Sequence, residues 1–276
     1  MTARAVWVND HLTDASDTHV NAFDHGLTVG DGVFETLEVI GGVAFALGRH
    51  LGRLRRSAAG LGLVLPWSDD ELGAAVAAVL GAEPDAGRLR ITVTGGPSPL
   101  GSDRGSASPT LLVVAAPASP WATTSGVVVV PWVRNERSAV AGMKTTSYAE
   151  NVVALARAHE AGADEAIFAN TRGILCEGTG SNVFVVVDGR LCTPPLASGC
   201  LAGITRALVC ELVEVEEVDL PVESLAAAEE AFLTSSTRRV QPIGSVDGVA
   251  LPAAPGPLTA AAAAAFDALV SRDLDP

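Results

Sequence analysis

Lysine is almost missing from this chain. Of its 18 Lys plus Arg residues, 17 are arginine and one is lysine, Lys144. Tyrosine is also single, at Tyr148, and aromatic residues make up only 4% of the sequence. Positive charge is scarce: the formal net charge is −14 and the pI near 4.7. That balance argues against nucleic acid or an anionic membrane as partner, since either calls for a basic patch. No apolar run reaches the ~18 residues of a membrane span, so no transmembrane helix is expected. Met1–Asp10 lacks a basic stretch followed by an apolar one, so no signal peptide is expected there. Cysteine is limited to Cys176, Cys192, Cys200 and Cys210, with no C-x-x-C. They read as small buried apolar residues of a thiol-reduced, cytoplasmic protein. His11, His19, His25, His50 and His159 show no metal-ligand spacing, so no metal site is expected. Walker A and G-x-S-x-G patterns are missing too.

What remains is a globular composition, 48% hydrophobic and 18% charged over 276 residues, enough for one large or two modest domains. A chain that uses arginine for almost every cation keeps Lys144 either by chance, under codon bias, or because lysine does something arginine cannot. An arginine guanidinium stays protonated, whereas a lysine amine can lose its proton and form a Schiff base. Composition alone leaves both accounts open.

The pattern divides into two α/β halves. In the first, strands are expected at Val6–Val8, Leu37–Ile40, Val43–Leu47, Arg88–Thr94 and Thr110–Ala116, with a turn at Gly41-Gly42. A helix over His50–Leu61 carries Leu51, Leu54, Ala58 and Leu61 on one stripe. Ser68-Asp69-Asp70-Glu71 is a capping-box pattern opening a second helix that runs to about Leu80. The Pro-, Ala-, Ser- and Thr-rich segment 118–125 reads as a linker between domains 1–117 and 126–276. The second half opens with a strand at Val127–Val133. A helix follows from about Tyr148 to Ala161, with Tyr148, Val152, Leu155 and His159 on one face. Short strands follow at Glu165–Asn170, Ile174–Glu177, Asn182–Val187, Arg190–Thr193 and Ala231–Thr234. Helices are expected from near Gly203 and through Ala260–Leu269.

Four segments could carry chemistry. Lys144 lies between a strand and a helix, where a fold can present a side chain into a cleft, and Tyr148 stands one helical turn on. The bland reading is a loop lysine and a core tyrosine. Glu177 ends an apolar strand. Such a carboxylate usually faces solvent, but set against a pyridine nitrogen it would keep that nitrogen protonated. In Ser198–Arg206 a small-residue loop leads into a helix whose first N–H groups, with the Thr205 hydroxyl, can hold an anion. Thr234–Arg239 ends a strand with four hydroxyls and two cations. Alone, each of the last two is more often a cap or a turn.

Taken in order, these motifs resemble the class IV aminotransferases, the fold-type IV enzymes that use pyridoxal 5′-phosphate. The resemblance spans nearly the whole chain. It rests on Phe23-Asp24-His25-Gly26 with Gly30-Asp31-Gly32-Val33-Phe34-Glu35, on Arg49–Leu54, and on Lys144–Asn151. Glu177–Phe184, Thr193-Pro194-Pro195 and Leu201–Arg206 complete it. The family includes D-amino-acid and branched-chain aminotransferases, R-selective amine transaminases and aminodeoxychorismate lyases. The resemblance implies an α/β (α+β) fold with a smaller N-terminal and a larger C-terminal, cofactor-binding α/β domain. The cofactor would lie between them, in a homodimer acting on an amino acid and a 2-oxo acid. It implies that Lys144 is the Schiff-base lysine, that Glu177 partners the pyridine nitrogen, and that Tyr148 lies near the ring oxygen. It also implies that Arg53, Ile204, Thr205, Ser236 and Thr237 hold the phosphate. Arg53 lies opposite the apolar stripe of its helix, so periodicity would not have selected it.

Substrate residues depart from each subfamily. Phe34 stands where D-amino-acid aminotransferases usually have tyrosine. Leu100 and Ser102 align with their arginine and histidine, and the extra pocket tyrosines of branched-chain enzymes have no counterpart beside Tyr148. Gly-Asp-Gly-Val-Phe-Glu-Thr and Lys-Thr-Thr-Ser-Tyr are most like chains labelled aminodeoxychorismate lyase, which forms 4-aminobenzoate and pyruvate. Arg90, Arg104 and Arg238 are the cations available for a substrate carboxylate. Transfer from a D-amino acid, with some R-configured primary amines, is the expected activity, and the lyase reaction is the alternative.

Overall fold

Alternation along one strand organises the first half of the chain. In β3 (Gly32–Ile40), Val33, Glu35, Leu37 and Val39 are buried on one side of the backbone, with Phe34 on the other. The computed structural model describes residues 5–18 and 20–276. There β3 belongs to a sheet of six strands with β1 (Ala5–Val8), β2 (His11–Asp14), β4 (Val43–Ala44), β5 (Arg88–Thr94) and β6 (Thr110–Ala116). Their order is β2-β1-β6-β5-β3-β4. A single turn, α1 (His25–Thr28), precedes β3, and α2 (Leu47–Gly60) and α3 (Asp69–Ala82) cover its core side. Leu51, Leu54 and Ala58 of α2 and Leu72, Val76 and Val79 of α3 pack there against Leu37, Leu89, Ile91 and Val113. Ser68 and Glu71 form the reciprocal capping box that their spacing predicts. The strand expected over Val43–Leu47 stops at Ala44. Ala46 turns left-handed at φ +56° and the helix begins at Leu47.

The second unit holds a nine-stranded sheet. Its strands are β7 (Ser125–Arg134), β8 (Glu165–Asn170), β9 (Leu175–Gly178), β10 (Asn182–Val187), β11 (Arg190–Thr193), β12 (Glu216–Glu217), β13 (Glu230–Ser235), β14 (Arg239–Val246) and β15 (Val249–Ala250). The order is β12-β11-β10-β13-β14-β7-β8-β9, and β15 pairs with β14. β7 runs parallel to both β8 and β14. Helices α4 (Ala149–Glu160), α5 (Ile204–Leu212) and α6 (Pro257–Arg272) complete the unit. The Glu230 carboxylate caps α6 by accepting from the N–H groups of Leu258 (3.0 Å) and Thr259 (2.8 Å). α4 turns a different face inward from the one its larger side chains suggest. Asn151, Ala154 and Ala158 are buried, while Val152 is 64% exposed. The small side chains win because they let the helix close on Val130, Ala166 and Phe168.

The division between units lies near the expected linker, but it is not continuous in sequence. One unit takes the chain as far as Ser119 together with Met143–Tyr148 and Asp273–Pro276. The other takes Pro120–Gly142 and Ala149–Arg272. Ser125, expected in the linker, is fully buried and opens β7. The segment containing Lys144 therefore belongs to the first unit.

Candidate active site

In the first unit, Lys144 is held as a fragment of strand beside β3. Its carbonyl accepts from the Phe34 N–H (3.1 Å), and the Thr146 N–H donates to the Gly32 carbonyl (2.8 Å), with a bridge between Val33 and Thr145. The Lys144 N–H donates to the Ser57 hydroxyl of α2 (3.1 Å). Thr146 and Ser147 hydroxyls both donate to the Gly30 carbonyl at 2.9 Å. This register sets Lys144 across from Phe34 on the same face, with Nζ 4.4 Å from the Phe34 ring centre and 5.9 Å from that of Tyr148. The two rings meet edge to face at 5.2 Å. Arg90 reaches the same ring from β5, its Cζ 3.8 Å from the centre, and its Nε donates to Thr92 Oγ1 at 3.3 Å.

The other side of β3 carries a buried carboxylate. Glu35 accepts from Arg53 Nε on Oε1 (2.8 Å) and from Arg53 Nη2 on Oε2 (2.6 Å). His50 Nδ1 lies 2.7 Å from Oε2, and an ionised carboxylate can only accept, so Nδ1 carries the proton. Glu35, His50 and Arg53 are all less than 5% exposed. Burial pushes the Glu35 carboxyl up, but the Arg53 charge and the hydrogen bonds from Arg53 and His50 outweigh it, holding it down to about 2. Burial pushes the His50 imidazole down; the Glu35 contact opposes this, while Arg53 and Lys144 add to it. α2 thus has two buried stripes, the apolar one and a polar one of His50, Arg53 and Ser57. A carboxylate in the core-facing row of a buried strand is the signal that a cation had to meet it.

Arg104 and Asp31 form a two-armed pair, Nε to Oδ2 at 2.5 Å and Nη2 to Oδ1 at 2.6 Å. His25 Nε2 donates to the Pro99 carbonyl at 2.8 Å, anchoring the same loop, whose Leu100 is 75% exposed.

In the second unit, Glu177 is the last residue but one of β9. Its Oε1 accepts from Arg134 Nε (3.0 Å) and its Oε2 from the Leu201 N–H (2.8 Å). Arg134, at the end of β7, lies over the Phe168 ring at 4.0 Å and also donates to Glu150 at 2.6 Å. Sequence reading did not single out Arg134, since nothing local to it marks Glu177 as its partner. Ile204 and Thr205 form the first turn of α5, whose N-cap Gly203 offers no capping side chain. Gly203 is required: a Cβ there would collide with Asn182 Oδ1, which belongs to the side chain that donates to the Leu201 carbonyl at 2.8 Å. Ser236 and Thr237 lie in the turn between β13 and β14, and the Thr234 hydroxyl at its base is buried without a hydrogen-bond partner among the described residues. Arg238, considered above for a substrate carboxylate, instead meets a carboxylate of the chain itself. Its Nη2 lies 3.0 Å from Glu165 Oε2, and both side chains are buried. Of the three cations considered, Arg90 alone has no carboxylate within ion-pair distance among the described residues.

The cysteines are free. Cys176, Cys192 and Cys200 are buried and Cys210 is half-buried; burial pushes the Cys200 thiol up to about 11. No group of His, Cys, Asp and Glu among the described residues could hold a metal ion, and His19 lies outside those residues. No described helix is long and apolar enough to cross a membrane.

A family model for amino-transferase class IV matches residues 32–246. The chain belongs to the class IV aminotransferases. Among class IV relatives, it is 35% identical over 255 residues to a Methanocaldococcus jannaschii protein whose name carries a provisional branched-chain-amino-acid aminotransferase assignment. That match covers 88% of each chain. It is 33% identical to a D-alanine aminotransferase of Bacillus licheniformis, covering 92% of this chain and 93% of that one. Its fold matches the crystal structure of a branched-chain aminotransferase from Thermoproteus uzoniensis with norvaline. The TM-score is 0.90 at 30% identity, covering 97% of this chain and 94% of that one. It also matches a fold IV-transaminase from Curtobacterium pusillum, with TM-score 0.84, 32% identity and coverage of 98% of this chain and 100% of that one. The mixed α/β architecture of this class IV chain is therefore that of the fold-type IV enzymes.

Proposed function

We propose that the chain transfers the amino group of a D-amino acid to a 2-oxo acid, with some turnover of R-configured primary amines, using pyridoxal 5′-phosphate. The donor set suits that cofactor: a single lysine amine, a strand-end carboxylate, an uncapped helix N-terminus and a turn bearing hydroxyls. Bound there, the cofactor supplies an aldehyde to take up the amino group and a ring to accept the electron pair released at the substrate Cα.

Lys144 would carry the cofactor through Nζ and, once displaced by the substrate amine, move the Cα proton. The strand-like pairing of its backbone with β3 would hold that amine in place. Glu177 would face the ring nitrogen, with Arg134 and the Leu201 N–H fixing its orientation. Tyr148 would lie near the ring oxygen. Arg53, the first turn of α5 at Ile204 and Thr205, and the hydroxyls of Ser236 and Thr237 would hold the phosphate. Arg90, seated over Phe34, would meet the substrate carboxylate. A homodimer is part of this reading.

The observation that carries the D-amino-acid assignment is the single tyrosine. A pocket built from several tyrosines, as in branched-chain enzymes, cannot form from Tyr148 alone. Mixing the cofactor-loaded protein in turn with D-alanine, L-leucine and aminodeoxychorismate, and following the cofactor spectrum, tests it. Amino transfer from D-alanine is expected. A response to L-leucine alone overturns the choice of hand, and 4-aminobenzoate formation with no amino transfer identifies a lyase.

A further inference from the structure

Glu165 opens β8 and is 1% exposed, yet donors from two separate turns converge on its carboxylate. Oε1 accepts from the Thr179 N–H (3.0 Å), from the Thr179 hydroxyl and from its neighbour's N–H at Ala166 (3.1 Å). Oε2 accepts from Ser181 Oγ (3.2 Å) and lies 3.0 Å from Arg238 Nη2. Thr179 and Ser181 belong to the turn that follows Glu177. Arg238 closes the turn that carries Ser236 and Thr237. The fit is close. A Cβ on Gly178 would collide with Ser181 Oγ and lie 3.2 Å from Glu165 Cγ, so a side chain there would displace the Ser181 hydroxyl and crowd the carboxylate. Arg238 is fixed on its remaining sides by the Trp121 ring (4.1 Å) and by Gln241 Oε1 (3.1 Å).

Glu177 has its own supports in Arg134 and Leu201. The turn after it and the hydroxyl-bearing turn do share Glu165. Removing one partner of a buried ion pair leaves the other charge uncompensated, so neither side of this arrangement can relax alone.

We propose that Glu165 is a positioning residue that couples the turn after Glu177 to the Ser236–Arg238 turn, and so sets the hydroxyls that would hold the cofactor phosphate. The last clause rests on the cofactor reading above; the coupling does not.

Hydrogen exchange on the full chain separates the two. Thr179→Val removes a hydroxyl that donates to Glu165. It is expected to speed exchange of peptides spanning 235–239 about fivefold, while peptides of β1–β6 stay unchanged, and Thr179→Ser should restore the wild-type rate. Unchanged exchange at 235–239 in Thr179→Val overturns the coupling. In the cofactor arm, Glu165→Gln should weaken pyridoxal 5′-phosphate binding about tenfold, with pyridoxal, which lacks the phosphate, changed less than twofold. Equal weakening of both overturns the phosphate role. A wild-type chain that binds neither refutes the cofactor reading, while the exchange result still decides the coupling.

Discussion

The Glu35 carboxylate of β3 takes a two-armed grip from Arg53 of α2 and a third contact from His50, one helical turn earlier. No part of this trio is exposed enough for water to replace a lost partner. Glu35→Gln would take the ionised carboxylate away from the buried Arg53 guanidinium, at a cost of about 3–5 kcal/mol. A large fall in denaturation midpoint is the expected outcome, read by chemical unfolding; a change within error would show that α2 can repack around a guanidinium deprived of this carboxylate.

Acid should unfold the protein through the same trio. Glu35 has a folded-state value of about 2, below its ordinary 4.5. Its stabilisation is therefore complete above about pH 4.5 and is lost as pH falls from there toward 2. His50 is also lowered by burial, so the unfolded chain binds its proton first. That contribution is complete above the ordinary value of 6.5 and is lost as pH drops below it. Both signs agree. Thermal melts should show stability declining below about pH 6.5 and falling further below 4.5. A His50→Gln variant should lack the upper part of the decline.

Borohydride reduction of the cofactor-loaded protein, followed by peptide mapping, should place the cofactor on Lys144. Lys144→Arg keeps the charge but removes the nucleophile and the proton carrier, so turnover should vanish while the fold persists. A label on any other residue would refute the assignment.

Arg53→Lys tests the phosphate role while keeping a positive charge near Glu35. The fork is lost, and a charge-assisted hydrogen bond contributes about 1.5–3 kcal/mol. Affinity for pyridoxal 5′-phosphate should drop by about tenfold or more in a fluorescence titration. Equal affinity in variant and wild type would leave Arg53 as a partner of Glu35 alone.

Arg90→Leu tests the substrate carboxylate. KM for D-alanine should rise about tenfold or more. KM for an R-configured amine without a carboxylate should stay within about twofold, because no charge-assisted contact is lost. If both constants rise together, Arg90 acts by holding Phe34 in place.

Five strands are found where the sequence predicts them, to the residue: Arg88–Thr94, Thr110–Ala116, Glu165–Asn170, Asn182–Val187 and Arg190–Thr193. Each is an apolar or alternating run bounded by turn residues, so local pattern and tertiary context agree. β14 gave no such signal. It contains Pro242 and Gly244, and its pairing with β7 shifts register between Ile243 and Ser245, so the strand exists only through its neighbours. Lys144 stood out by its uniqueness, but its pairing with β3 leaves no local trace in the sequence. Only the family motif points to Arg53. A helical wheel ranks residues by hydropathy and cannot see a polar stripe that is buried because Glu35 waits opposite.

The strand fragment that carries Lys144 has a consequence for the order of assembly. The sheet of β1–β6 is encoded by the first 116 residues, and those strands can pair as soon as they have been made. The edge of β3 at Gly32–Phe34 receives Lys144–Thr146 only after β7 has been passed, far downstream in the chain. Closing so long a loop costs entropy that local pairing does not. On a ribosome, the scaffold that displays the amine would therefore form first and the amine would arrive late. A nascent chain arrested before Lys144 would hold a folded sheet whose β3 edge still lacks the lysine.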